Sequence, residues 1–65
     1  MFKSKNRENE VLNLLVEGKT KKQIADILYL SYHTVDNHIR NIYSKLHVHS
    51  RTEVVTKVLK ENYKL

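Results

Sequence analysis

The side chains best suited to chemistry gather between residues 33 and 44, where His33, Asp36, Asn37, Arg40 and Ser44 recur at helical spacing. On a helix they share one face, and they are short or planar hydrogen-bonding groups rather than the long Lys and Glu pairs of a merely solvated helix. An arginine grips guanine through two hydrogen bonds, an asparagine does the same for adenine, and an aspartate accepts from cytosine N4. Such a face can read base edges in a major groove. A second group, Thr20, Lys21 and Lys22, places a hydroxyl and two cations where a helix can begin. The free amide hydrogens and the dipole of a helix start attract a phosphate.

These residues do not suggest an enzyme or a metal centre. His33 and His38 are five positions apart, not the four that let two imidazoles on a helix share an ion, and His47 and His49 have no evident carboxylate or thiolate companion. No nucleophile has a matching base, and a chain of 65 residues offers little that would exclude water. No catalytic residue, metal site or cofactor is expected.

Composition narrows the setting. Twelve Lys and Arg against seven Asp and Glu give a formal charge of +5, with a pI near 9.6, which suits an anionic partner. Cysteine is absent, so packing alone must hold the core. A chain this short buries only about 60% of its unfolded surface. The apolar runs are a few residues long, which excludes a helical membrane span of about 20 residues and gives no secretory leader. The expectation is a soluble, cytoplasmic, nucleoid-associated protein.

The elements that must position these residues are helices joined by tight turns, since there is no proline and only one glycine. The pattern predicts an all-α fold of four helices, over about 6–17, 21–28, 32–46 and 51–62, forming one domain over 1–65. Val11, Leu12, Leu15 and Val16 give the first its apolar stripe, and Gly18 ends it. Thr20 and Gln23 spell a capping box for the second helix, with Ile24, Ala25, Ile27 and Leu28 as its buried face. Ser31 caps the third, whose stripe is Val35, Ile39, Ile42 and Leu46. Ser50 and Glu53 spell a second capping box, and Val54, Val55, Val58 and Leu59 are the apolar positions that follow. Two helices separated by three or four residues, the second polar on its outer face, match a helix-turn-helix. Ala25 lets the two pack closely.

From Arg7 to Thr52 the chain resembles the LuxR type of bacterial transcription regulator domain, also called the FixJ, NarL or GerE type. The resemblance lies in Arg7 to Leu12, Gly18 with Gln23 to Ala25, Leu30 to Val35, then His38, Ile42, Lys45, Leu46, Val48 and Arg51. It implies a homodimer on duplex DNA with the third helix in the major groove. Base contacts would fall to Asp36, Asn37 and Arg40, and phosphate contacts to Thr20, Lys21, Lys22, Thr34, His38, Lys45 and Arg51. Dimer contacts would fall to Val54, Val55 and Val58 in the last helix, some of which must serve the core. A contact with RNA polymerase belongs to the same set of expectations.

Three departures from the family pattern stand out. Ser4 and Lys5 stand where Leu and Thr usually open the first helix, which weakens that N-cap or shifts it to Ser4. Asp36 replaces a usual Lys or Arg, so it either accepts from a cytosine or favours the helix N-terminus through the dipole. His47 stands where glycine is common, so a positive φ there would cost about 1 kcal/mol. Two other functions fit parts of the pattern. One is the promoter-reading region of a sigma factor, against which the segment from Lys45 to Arg51 weighs. The other is a protein-interaction module that keeps the fold with little DNA affinity, its working face the apolar surface of the last helix.

Overall fold

The computed structural model describes residues 7–61. Four helices follow one another, α1 (Arg7–Val16), α2 (Lys21–Leu28), α3 (Tyr32–Leu46) and α4 (Arg51–Glu61), with no strand among the described residues. The expected boundaries agree within about a residue. Ser4, Asn6 and Asn62 lie outside the described residues.

Helix starts follow the sequence closely. Thr20 accepts from the Gln23 amide at 3.1 Å, while its own amide donates to Gln23 Oε1 at 2.9 Å, completing the capping box. Ser31 Oγ accepts from the Thr34 amide at 3.1 Å. The second capping box is only half made: the Glu53 amide reaches Ser50 Oγ at 3.3 Å, but Glu53 Oε1 takes the amide of His49 at 2.6 Å rather than that of Ser50.

The C-terminal ends of α1, α2 and α3 share one device. The Lys19 amide donates to Leu14, that of Leu30 to Ala25 and that of Val48 to Tyr43, each a six-to-one bond across a left-handed residue. Only the first uses glycine, Gly18 at φ +95°. Tyr29 and His47 both adopt φ 58°, a conformation that costs a side-chain-bearing residue about 1 kcal/mol. The reward is apolar, since Leu30 packs on the core and Val48 lies within it.

Val11, Leu12, Leu15, Ile24, Ala25, Val35, Ile39, Ile42, Leu46, Val48 and Val54 form one buried cluster. All four expected α3 positions are in it. Helix α3 packs against both α1 and α2, and α4 packs on α1. One expectation fails here. Ile27, expected on the buried face of α2, is exposed, because α3 covers only the side of α2 that carries Ile24 and Ala25. On α4 only Val54 is buried; Val58 packs partly against the core, Val55 is half-buried and Leu59 is 71% exposed.

Candidate nucleic-acid interface

Burying Val35, Ile39, Ile42 and Leu46 forces the opposite side of α3 outward. At about 100° per residue, His33, Asp36, Asn37, Arg40 and Ser44 occupy an arc of about 100°. All but Asp36 are exposed. The fifteen residues of α3 extend about 22 Å at 1.5 Å per residue, and a helix of this kind fits a groove about 12 Å wide.

Each edge of this arc is tied to another helix. On the α2 side, Lys21 Nζ lies 2.7 Å from Asp36 Oδ1, and Arg40 Nε lies 3.2 Å from Asp36 Oδ2. The Lys21 ammonium holds the Asp36 carboxyl below the usual aspartate range, with Arg40 adding to the effect. In return, the hydrogen bond to Asp36 raises Lys21 above the usual lysine value. Lys21 also stands 6.0 Å from the centre of the Tyr32 ring. On the α1 side, Lys45 Nζ meets Glu8 Oε1 at 2.6 Å, and Asn41 Nδ2 donates to Glu8 Oε2 at 3.3 Å. The Lys45 hydrogen bond leads in lowering the Glu8 carboxyl below its usual range, and Asn41 adds to it.

The expected phosphate contacts therefore divide by circumstance. Lys22 is exposed and has no ion-pair partner among the described residues. Thr20 and Thr34 keep a hydroxyl proton to donate while their oxygens serve the caps, Thr34 Oγ1 taking the Ser31 hydroxyl at 2.9 Å. His38 is half-buried, and its Nδ1 is enclosed without a hydrogen-bond partner. Lys21 and Lys45 are bound by carboxylates. Arg51 is turned inward: its Nη2 donates to the main-chain carbonyls of Leu15, at 3.1 Å, and Lys19. That role meets a need of the carbonyls at the end of α1, which lack donors within the helix.

Of the three α4 valines, Val54 is the one that serves the core. It is 0% exposed and belongs to the core, so it presents nothing to a second copy. The apolar surface that remains on α4 is Leu59 with the half-buried Val55 and Val58. Sequence reasoning missed the Glu8 and Asp36 ion pairs. The i, i+4 spacing of Asp36 and Arg40 was the only local sign of either.

No group of three or more metal-ligating side chains occurs among the described residues. No helix there is long and apolar enough to cross a membrane. A groove of about 380 Å³ runs along α4, lined by His47, His49, Glu53 and Lys57 among others.

The family described as "Bacterial regulatory proteins, luxR family" matches residues 5–58. The chain belongs to the LuxR family. The family is one of DNA-binding transcription regulators, not of enzymes. This LuxR-type domain is 49% identical over 55 residues to the response regulatory protein YgeK of Escherichia coli (strain K12), covering 85% of this chain and 37% of YgeK. To the spore germination protein GerE of Bacillus subtilis (strain 168) it is 48% identical over 54 residues, covering 83% of this chain and 73% of GerE. The crystal structure of the response regulator ChrA of a haem-sensing two-component system superposes with a TM-score of 0.82 at 35% identity. That match covers 95% of this chain and 31% of ChrA, so the LuxR-type domain spans about a third of two of these relatives.

Proposed function

We propose that this domain reads duplex DNA sequence-specifically, with α3 in the major groove, as one half of a homodimer that regulates transcription in the cytoplasm. The observation that carries the reading is the outer face of α3. Asn37, Arg40 and Ser44 lie exposed along it, between edges pinned to α2 by Asp36 and Lys21 and to α1 by Lys45 and Glu8. A strip held on both sides by packed helices presents its base-reading groups without much rearrangement, which lowers the ordering cost of binding.

The phosphate clamp in this reading is the start of α2, with Thr20 and Lys22, joined by Thr34 and His38 on the flank of α3. Lys21 and Lys45 stay on their carboxylates and lend positive potential to the phosphates alongside. Leu59, with Val55 and Val58, is the apolar surface through which two copies would pair, placing two α3 helices on a roughly palindromic site. The resemblance extends the reading to a contact with RNA polymerase.

Arg40→Ala and Lys22→Ala test the assignment together. The first is expected to relax sequence preference; the second is expected to weaken all duplexes alike. The reverse pattern, measured by duplex-binding titrations, contradicts the assignment of roles.

A further inference from the structure

Asp36 is an acid on the face that the proposed function turns toward a polyanion, and its surroundings say what it is for. Its side chain is 20% exposed and holds two cations at once, Lys21 through Oδ1 and Arg40 through Oδ2. A carboxylate hydrogen-bonded to one cation and ion-paired with another has less to offer a cytosine amino group. We infer that Asp36 is a positioning residue for Arg40 that makes the domain select guanine, holding the guanidinium at Nε so that Nη1 and Nη2 together face the O6 and N7 acceptors of one base. This deepens the duplex-reading function proposed above and rests on it.

Three features support the assignment. The contact uses Nε, the one guanidinium nitrogen that a bidentate guanine pair can dispense with. The Arg40 side chain is 77% exposed, and it meets Asp36 through Nε. Left alone, so exposed an arginine would lose rotamer freedom on binding, and a carboxylate at i−4 removes part of that loss beforehand. Finally, Asp36 is itself held. Lys21, from the facing helix, fixes Oδ1 at 2.7 Å and offsets the repulsion the carboxylate would feel from DNA phosphates.

A carboxylate that only joined α2 to α3 would affect folding and leave base choice alone. The test uses duplexes selected from a random pool by the whole chain, with each guanine replaced in turn by 7-deazaguanine, which lacks the N7 acceptor. One replacement per half-site is expected to weaken binding about tenfold. Arg40→Ala and Asp36→Ala are each expected to shrink that penalty to within about twofold. Asp36→Ala is also expected to strengthen binding to unrelated duplexes and to steepen the plot of log K against log salt by about 0.9, since it frees Lys21 for one phosphate. Asp36→Asn keeps the side-chain shape and guards against misfolding, with circular dichroism confirming the helices. An undiminished penalty in folded Asp36→Ala and Asp36→Asn, or a selected site in which no guanine is sensitive, overturns the inference and leaves DNA reading intact. No duplex bound by the unsubstituted chain overturns both.

Discussion

Arg51 Nη2 donates to the main-chain carbonyl of Leu15 at 3.1 Å, so the first residue of α4 closes the C-terminal end of α1. The same nitrogen reaches Lys19, the residue just past the turn. A charged donor on part-buried carbonyls is worth about 1.5–3 kcal/mol. Arg51→Ala is therefore expected to lower unfolding free energy by about that amount in urea titrations, with the salt slope of duplex binding unchanged. An unchanged stability with a slope reduced by about 0.9 would return Arg51 to the phosphate contacts.

The valines of α4 part company. Val54→Asp buries an unpaired charge at a position with no exposure and is expected to abolish the cooperative unfolding transition. Leu59→Asp changes a side chain 71% exposed, so stability should move by no more than about 0.5 kcal/mol. Sedimentation and duplex titration should then show weaker pairing and weaker DNA binding. A Leu59→Asp variant that pairs and binds as before would exclude this surface from the dimer.

Tyr29 and His47 carry backbone strain that glycine would relieve. Both sit at φ 58° beyond a helix end, and both side chains are exposed. Tyr29→Gly and His47→Gly are each expected to stabilise the fold by about 0.5–1 kcal/mol, because the steric cost of the left-handed conformation disappears while the main-chain bonds remain. Thermal unfolding measures it; a loss of stability would mean that these side chains make contacts that outweigh the strain.

How much of this was legible beforehand follows from range along the chain. Caps, helix ends and the α3 stripe depend on neighbours within one or two turns, so Thr20, Gln23, Ser31 and Gly18 announced their roles. The pairs that hold the α3 face depend on residues fifteen and thirty-seven positions apart, Lys21 with Asp36 and Glu8 with Lys45. Nothing local marks them. Apolar type alone misplaced Ile27 and merged Val54 with its neighbours, because which side of a short helix is covered depends on where its partner helix lies. Asp36 was singled out by its departure from the family pattern, but its partners came only from the packing of α2 on α3.

Acid should loosen both edges of the α3 face. Glu8 and Asp36 have carboxyl pKa values lowered by their ammonium partners, Lys45 and Lys21. Their contribution is present above the ordinary carboxylate range and is lost as pH falls through the lowered folded values. Stability is therefore expected to fall as pH drops below that range, and Glu8→Gln and Asp36→Asn should each flatten the fall. A pH profile unchanged by both substitutions would show that these pairs hold nothing.

Selection of bound duplexes from a random pool, followed by salt titration of the enriched sequence, tests the central claim most directly. A domain that reads DNA through α3 and neutralises about six phosphates is expected to enrich two-fold-related half-sites about one helical turn apart, with a slope near −5 in log K against log salt. No enriched sequence, or a flat salt response, would contradict it.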